Sequence, residues 1–306
     1  MSADSPYLVA RAIVSSVERV SPTFARVAFT GPELAVLGTP GATLDQRIKL
    51  IFPSPGHPLP TIGEDPDWYQ AWLAVPEEQR GSMRTYSIRD VIVDGDETTL
   101  VVDFVLHLQP GLTGPAATWA DGAVAGDELL VIGPRRGRTD GGGIEYEPGS
   151  ARSVLLAGDE TAAPAIARIL EDVDRDTRGV AFIEVPSVAD ALQISAPPGV
   201  TVHWLARNGR AHGEALIPAV VGHVGGTVPT EIVDAETENP LWETPVHSGL
   251  GESLEDAENH SDSYFWIAGE SAVVTTLRRQ LVRDVGVHRS QVAFMGYWRR
   301  GVAMRG

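Results

Sequence analysis

Residues 84–90 read Arg-Thr-Tyr-Ser-Ile-Arg-Asp, and this short stretch is the strongest indication of what the chain binds. The guanidinium of Arg84 offers a rigid fork of donors that suits a phosphate group. In a strand, Tyr86 shares a face with Arg84 and can lie against a flat ring system. Ser87 points to the other face and can form hydrogen bonds through its side chain or backbone. The spacing therefore predicts a site for a ligand that carries both a phosphate and an aromatic ring.

A second motif about twenty residues downstream offers a seat for a pyrophosphate. His107 is followed by Gly114-Pro115-Ala116 and then by Trp119. A Gly-Pro turn into a helix leaves free backbone N–H groups at the positive end of that helix. Trp119 can equally be a core residue, and His107 a strand-end histidine bonded to backbone. Together with residues 84–87, the motif predicts tightly but non-covalently bound FAD.

Composition excludes several classes of protein. The chain has 306 residues, 43% of them hydrophobic, and a formal net charge of −17 from 41 acidic and 24 basic residues. Such a surface repels nucleic acid and anionic membranes. The apolar runs are too short to span a bilayer, and residues 1–20 lack the apolar core of a secretion signal. We therefore expect a cytoplasmic, monomeric protein without a membrane or nucleic-acid partner.

The chain has no cysteine, which excludes disulfides and thiolate-ligated zinc or iron–sulfur centres. The eight histidines show no tight metal-ligand spacing, and we predict no metal site. Redox chemistry would then depend on an organic cofactor or a metal without thiolate ligands. Lys49 is the only lysine and lies in the strand-like stretch 47–52. A GC-rich coding bias is the preferred explanation of its rarity, and a special role is the alternative.

Residues 1–148 are predicted to form an FAD-binding antiparallel barrel of six strands, because short β-branched and aromatic runs alternate with Gly, Pro, Asp and Asn. A helix is predicted at 66–79 and a helix start at 113–120. The six predicted strands cover residues 12–17, 25–30, 46–52, 85–93, 98–108 and 128–133.

Residues 149–306 are predicted to form a parallel-sheet α/β domain of the nucleotide-binding type, because strand-like and helix-like runs alternate. The predicted strands cover 153–158, 180–185, 200–205, 264–268 and 291–297; the predicted helices cover 161–174 and 271–285, with a short helix or turn at 189–195. Residues 222–262 are rich in Gly, Pro and acids and have no clear period. We expect them to be a flexible insertion, and we expect deletion of residues 226–260 to leave folding and flavin binding intact.

The turn after the first strand of this second domain is where a nucleotide would bind. It reads Gly158-Asp159-Glu160-Thr161-Ala162 rather than GxGxxG, and its two acids would resist a pyrophosphate. A helix-capping role for Asp159 and Thr161 is the alternative. Glu184 could bind a ribose hydroxyl of NADH or repel the 2′-phosphate of NADPH. Tyr297 and Trp298 could shield a flavin face or simply cap the sheet.

Seven motifs in order resemble the siderophore-interacting proteins, which are FAD-binding ferric-siderophore reductases with a ferredoxin-reductase-like fold. They are Arg84-Thr-Tyr-Ser, Asp103-Phe-Val-Leu-His107, Gly114-Pro-Ala, Gly133-Pro-Arg135, Gly158-Asp-Glu-Thr-Ala, Ala268-Gly-Glu and Gly296-Tyr-Trp-Arg299. The chain departs from the family at two positions. At Ala117 the family often has a hydroxyl, for which Thr118 is the alternative source, and at Ala206 the family often has histidine.

The motifs and the resemblance together supply the candidate residues. Those assigned to cofactors are Arg84, Thr85, Tyr86, Ser87, Asp103, His107, Gly114, Pro115, Ala116, Thr118, Trp119, Asp159, Glu160, Thr161, Ala162, Tyr297 and Trp298. The resemblance implies a shallow basic pocket for the siderophore, assigned to Lys49, Arg136, Arg278 and Arg279, with Arg135 also considered.

The resemblance implies a reductase in which NADPH or NADH supplies electrons through FAD to Fe(III) in an anionic siderophore. Two alternatives stay open at this point. One is a general NAD(P)H-flavin reductase or diaphorase. The other is a flavin-bearing siderophore-binding module that a protein donor such as a ferredoxin reduces.

Overall fold

Alternating hydrophobicity builds the N-terminal sheet, because successive strand residues face opposite sides. In β1 (Tyr7–Arg19), Leu8, Ala10, Ala12 and Val14 are all buried in one core. The remaining strands are β2 (Phe24–Thr30), β3 (Arg47–Phe52), β4 (Ser82–Ser87), β5 (Asp90–Asp94), β6 (Glu97–Val105) and β7 (Glu128–Pro134).

These seven strands form one antiparallel sheet in the order β4-β3-β7-β1-β2-β6-β5. The predicted single strand at 85–93 is two strands. Between them, the Ile88 N–H donates to the Gln46 carbonyl and the Arg89 N–H donates to the Val101 carbonyl. The predicted closed barrel of six strands is therefore a partly open one of seven, with residues 88 and 89 bridging its two edges.

Two helices accompany this sheet. Helix α1 (Trp68–Ala74) is shorter than predicted and buries Trp72 against the outer face, together with Ile51 and Met83. Helix α2 (Pro115–Gly122) packs against β2, β3, β4 and β6.

The C-terminal sheet has the order β10-β9-β8-β13-β14-β11-β12. Its parallel part consists of β8 (Ser153–Gly158), β9 (Arg178–Val185), β10 (Gly199–Ala206), β13 (Ser263–Glu270) and β14 (Val292–Trp298). The strand order reverses between β8 and β13, and ligands of such sheets bind at the carboxyl ends of the strands near that reversal.

The helices of this unit are α3 (Ala163–Asp172), α4 (Leu216–His223) and α5 (Ser271–Arg278). Helix α4 was not predicted, because its apolar residues lie beside a stretch without periodicity. The predicted helix at 271–285 is α-helical to Arg278 and π-helical from Arg279 to Val285. A 3-10 turn, Val188–Asp190, stands where a short helix or turn was expected.

Part of the predicted flexible insertion belongs to the sheet. Strand β11 (Trp242–Thr244) pairs antiparallel with β14, and β12 (His247–Ser248) pairs with β11. Glu243 is buried and accepts from Arg278 Nε at 2.6 Å. The prediction of an unpacked insertion is therefore wrong for this segment. A strand of three residues is too short for its alternation to be recognised in the sequence. We now expect deletion of residues 226–260 to destabilise the fold.

The computed structural model describes residues 5–39, 41–63, 67–108, 113–232, 241–245, 247–248 and 262–301. Much of the predicted insertion and part of the predicted helix at 66–79 lie outside these ranges. The described residues form two units that meet between Ile144 and Glu145, whereas the sequence placed the boundary at residue 148. Across the described ranges, no helix combines the length and apolar character needed to cross a membrane.

Candidate functional site

The two faces of β4 carry different side chains of the 84–87 motif. Arg84 and Tyr86 pair in register with Leu50 and Ile48, both of which belong to the interior core. Thr85 pairs with Lys49 and accepts from its Nζ at 2.8 Å. Because strand side chains alternate, Thr85 lies on the opposite face of the sheet from Arg84 and Tyr86.

Arg84 is a half-buried cation without an anionic partner among the described residues. Its Nη1 donates to the Met83 carbonyl at 2.6 Å, and the described residues form no ion pair with it. Burial lowers the pKa of the Arg84 guanidinium. A cation in this position is stabilised by an anion, which is what the phosphate prediction requires.

The start of α2 is a second feature that favours an anion. Within the part of the chain that the structure describes, no side chain caps this helix, and a backbone bond runs from the Thr118 N–H to the Gly114 carbonyl. Gly114 has φ −75°, which any residue can adopt, and a Cβ atom there would meet nothing within 4 Å. The fold itself does not require this glycine, so the open space beside it fits a ligand that approaches the backbone closely. Pro115 is exposed, and Ala116 is buried beneath the turn.

The Thr118 hydroxyl donates to the Gly114 carbonyl at 3.1 Å. Its proton is therefore used within the helix, and the oxygen lone pairs are what it can offer a ligand. Thr118 is exposed, so this arrangement does not exclude the suggested replacement of the hydroxyl missing at Ala117.

Tyr86 and Trp119 form the rim of an aromatic cluster. The Tyr86 ring lies 4.7 Å from that of Phe104, and Trp119 stacks on Phe29 with centroids 6.2 Å apart. Both side chains are half-buried. Trp119 therefore packs against the core, as considered above, and still has surface left that a ligand can contact. Burial raises the pKa of the Tyr86 phenol, and the nearby charge of Arg84 lowers it by a smaller amount. The phenol is thus neutral and able to cover a planar ring.

Asp103 holds arginines on the outer face of the sheet. Its carboxylate accepts from Arg26 Nε and Nη2 at 2.7 and 2.8 Å and lies 3.6 Å from Arg89 Nε. The Asp103 side chain has no exposed surface. It therefore stabilises the corner after β4, and any effect on a cofactor would pass through the backbone that it supports. Ser87 is buried and His107 half-buried near this end of the sheet.

In the C-terminal unit, Asp159 joins three strand ends. Its carboxylate accepts from the Thr161 N–H and hydroxyl, the Glu270 N–H and the Trp298 indole N–H, at 2.5–2.9 Å. A Cβ atom at Gly269 would come within 2.8 Å of this carboxylate. Burial and the charge of Glu160 nevertheless raise the pKa of Asp159.

Glu160 is fully buried beside Asp159 and is neutralised by Arg207. Two hydrogen bonds of 2.6 and 2.8 Å join the guanidinium to the carboxylate, and His212 Nε2 lies 3.3 Å away. Arg207 ends the motif in which the family's histidine is replaced by Ala206. The ion pair joins residues 47 positions apart, so local spacing gave no signal of it.

Two further acids cap helices along the same edge. Glu184 has no exposed surface and accepts three N–H groups at the start of α4, those of Gly213, Ala215 and Leu216. Glu270 accepts two N–H groups at the start of α5. The Glu184 carboxylate is therefore engaged by the backbone of α4, which weighs against contact with a ribose, and both nucleotide roles considered for it stay predictions.

The predicted dinucleotide turn is thus occupied by the chain's own groups. Asp159, Glu160 and Thr161 are engaged with one another or with Arg207, and Ala162 is fully buried. Their assignment to a dinucleotide stays a prediction, and the geometry weighs against it because a phosphate would meet two carboxylates.

The two aromatic residues of β14 have separate surroundings. Trp298 donates to Asp159 and meets His212 edge-on at 4.9 Å, whereas Tyr297 stacks on Trp242 at 6.2 Å. Both are half-buried, and a role against a flavin stays a prediction.

The predicted substrate cations differ in availability. Lys49 is half-buried and donates to Thr85, while Arg136 is exposed and donates to the Leu37 carbonyl and the Thr98 hydroxyl. Arg279 is exposed. Arg278 is 8% exposed and paired with Glu243, so its placement in a surface pocket is wrong. Within the described ranges, no cluster of acidic and histidine side chains could hold a metal ion.

Two family models match consecutive parts of the chain. One describes a siderophore-interacting FAD-binding domain and covers residues 13–138; the other describes a siderophore-interacting protein and covers residues 151–301. The ferric vibriobactin reductase ViuB of Vibrio cholerae is 27% identical over 92% of this chain and 86% of its own length. The NADPH-dependent ferric-chelate reductase of Escherichia coli is 28% identical over 93% and 91%.

Solved structures agree with these matches. A siderophore utilization protein from T. fusca aligns with a TM-score of 0.70 and 30% identity, covering 97% of this chain and 95% of that one. A ferredoxin reductase of carbazole 1,9a-dioxygenase aligns with a TM-score of 0.57 and 15% identity, covering 96% and 68%, which shows a shared fold alone.

Proposed function

The chain belongs to the siderophore-interacting protein family, and from this premise we propose that it is an FAD-dependent ferric-siderophore reductase. One observation carries the proposal. Among the described residues, Arg84 has no anionic partner and the start of α2 has no side-chain cap, and both lie within a domain of the FAD-binding family. Both features favour an anion, and the half-buried rings of Tyr86 and Trp119 favour a planar ligand.

In the N-terminal unit, different residues bind different parts of the cofactor. Arg84 and the amide groups at the start of α2 bind the pyrophosphate, and the Tyr86 ring covers the flavin plane. Asp103 supports this site indirectly by holding Arg26 and Arg89. Bound FAD supplies the ability to accept a hydride and to release electrons one at a time.

The substrate is a ferric siderophore, which we expect to be anionic. Hard oxygen ligands favour Fe(III), so reduction to Fe(II) weakens the complex and frees the metal. A protein with a net charge of −17 repels such an anion at long range, so capture requires local cations. Lys49 is the strongest candidate because no acid neutralises it among the described residues.

The electron donor is NADPH or NADH in this proposal, in line with the name of the Escherichia coli relative. The acid-filled edge of the C-terminal sheet favours a second candidate, a flavin-bearing siderophore-binding module that a reduced ferredoxin feeds. A general flavin reductase or diaphorase is the third. The cytoplasmic location and monomeric state stay predictions.

Anaerobic stopped-flow absorbance separates these candidates. The purified protein, reconstituted with FAD, is mixed with NADPH, NADH or reduced ferredoxin, and then with an iron(III) tris-catecholate. We expect NAD(P)H to bleach the flavin and the ferric complex to restore its colour with release of Fe(II). Bleaching by ferredoxin alone would select the module, and equal turnover with free flavin or quinones as acceptors would select the diaphorase.

Lys49→Ala tests substrate capture. We expect a roughly tenfold higher KM for the trianionic tris-catecholate at low salt, because an attraction near a protein surface is worth about 1–4 kcal/mol at 4 Å. Added salt should shrink the difference. Arg138→Ala, which removes a half-buried arginine that pairs with Asp140, is the matched control. Equal kinetics for Lys49→Ala and wild type at low salt would remove Lys49 from the site.

A further inference from the structure

Thr85 and Lys49 form a cross-strand pair on the outer face of the N-terminal sheet. They are directly opposite in the β3–β4 register, and the Lys49 ammonium donates to Thr85 Oγ1 at 2.8 Å. Arg84 and Tyr86, on either side of Thr85, point to the interior face. The second residue of the flavin motif therefore contacts the proposed substrate lysine and not the groups that hold the flavin.

The surroundings of Lys49 leave this hydroxyl as its acceptor among the described residues. Its neighbour on β7 in the same row is Ile132, which is apolar, and the charged group that acts on Lys49 is Arg47 on the same strand. Burial and the like charge of Arg47 lower the pKa of Lys49. A hydroxyl acceptor opposes both effects, because it stabilises the charged form and restricts the rotamers of a flexible side chain.

We propose that Thr85 is a positioning residue that holds the Lys49 ammonium in place to receive an anionic ferric siderophore. This inference rests on the proposed role of Lys49 in substrate capture. One strand then serves two ligands: its interior face presents Arg84 and Tyr86 to the cofactor, and its outer face presents Thr85 to the lysine.

Thr85→Val tests the inference, since it keeps the shape and the β-branching but removes the acceptor. We expect KM for iron(III) tris-catecholate to rise by up to about tenfold, with little change for the cationic ferrioxamine B. Thr85→Ser should restore the wild-type value. Thr201→Val, at an exposed position on β10, controls for loss of a strand hydroxyl.

The pH dependence of KM for the anionic substrate distinguishes a positioning role from a merely structural one, which would leave it unchanged. Capture that needs charged Lys49 persists below the pKa of that lysine and is lost as the pH rises through it. Removing the acceptor lowers this pKa further, so the alkaline loss should begin at lower pH in Thr85→Val than in wild type. In a Lys49→Ala background, Thr85→Val should have no additional effect on KM.

The outcomes separate two failures. If Lys49→Ala binds the anion like wild type, the proposed capture site is wrong. If Lys49→Ala is impaired but Thr85→Val is not, the capture site stands and the positioning role is overturned. A loss of FAD affinity in Thr85→Val, measured by flavin fluorescence on reconstitution of the apoprotein, would also overturn it by assigning Thr85 to the cofactor.

Discussion

Two helices in this chain, α2 and α3, each follow a glycine-containing segment, and the two segments differ in what surrounds the glycine. At the start of α2, a Cβ atom at Gly114 would meet nothing within 4 Å. At the start of α3, a Cβ atom at Gly158 would lie 2.4 Å from Ala162 Cβ and 2.7 Å from the Ala268 carbonyl oxygen. The first turn has room for a ligand, whereas the second is packed by the protein itself.

The charges at the two turns differ in the same way. Arg84 has no acidic partner among the described residues near α2, while Asp159, Glu160, Glu184 and Glu270 are each satisfied by donors of the chain. A glycine-containing turn before a helix therefore indicates a phosphate site only where the fold leaves its donors and charges unused. This difference can be tested from both sides.

The largest effect should come from breaking the buried pair at the filled turn. Arg207→Met leaves the Glu160 carboxylate buried without its guanidinium, which costs about 3–5 kcal/mol of unfolding free energy. Urea unfolding measures it. Arg210→Met, an exposed arginine on the same loop, should change stability by no more than about 0.5 kcal/mol. Equal stabilities for the two variants would show that the network is not needed by the fold.

Arg84→Ala tests the open turn and should act on ligand affinity. Loss of one charge-assisted contact should weaken FAD binding by about 1.5–3 kcal/mol, or roughly 10- to 150-fold. Isothermal titration of the apoprotein with FAD measures the change. The melting temperature without FAD should stay near wild type, since Arg84 has no anionic partner to lose. Wild-type affinity in this variant would make the assignment of Arg84 wrong.

Paired glycine substitutions compare the turns directly. Gly158→Ala should cost about 1–3 kcal/mol of stability, because its methyl group overlaps Ala162 and a backbone oxygen. Gly114→Ala should cost less, about 0.5–1 kcal/mol, because alanine fits the backbone and the open space but is a poorer N-cap than glycine. We expect Gly114→Ala to weaken FAD binding instead. Similar losses of stability at both positions would remove the distinction between the turns.

A smaller effect is expected in the pH dependence of stability, which probes the buried Asp159 at the start of α3. The pKa of Asp159 is raised in the folded state, so its contribution is fully present below the ordinary value of about 3.9 and is lost as the pH rises through the folded value. The stability advantage of wild type over Asp159→Asn should therefore decrease as the pH rises above about 4.

Asp140→Asn is a control of opposite sign. A hydrogen bond from Arg138 lowers the pKa of Asp140, so any advantage of wild type over this variant should be lost as the pH falls. An advantage of wild type over Asp159→Asn that increased with pH would show that the hydrogen bonds from Thr161 and Trp298 outweigh burial.

Much of the architecture could be read from local patterns. Alternation placed most strands, and the run from Ser153 to Gly158 coincides with β8. The local patterns failed where tertiary contacts determine where a strand begins or ends. The stretch 85–93 contains a corner that only the partners of Ile88 and Arg89 reveal, and β11 is too short for any period to show.

The candidate site was predictable to a similar degree. The spacing of Arg84 and Tyr86 placed both on one face of a strand, and the Gly-Pro turn marked the start of α2. Burial of Arg278 against Glu243 was not predictable, because its partner lies 35 residues away on a strand that was missed.

By itself, the sequence determined the fold class, the family and the residue types available to hold a flavin, because these depend on periodicity and on short motifs in a set order. Only the tertiary structure decided which charges are paired. Lys49 meets Thr85 and Glu160 meets Arg207 across 36 and 47 residues because strand order and register bring them together. The free energy of a charge depends on its burial and partners, which no local spacing specifies. The same kinds of residue therefore leave one turn open to a ligand and close the other.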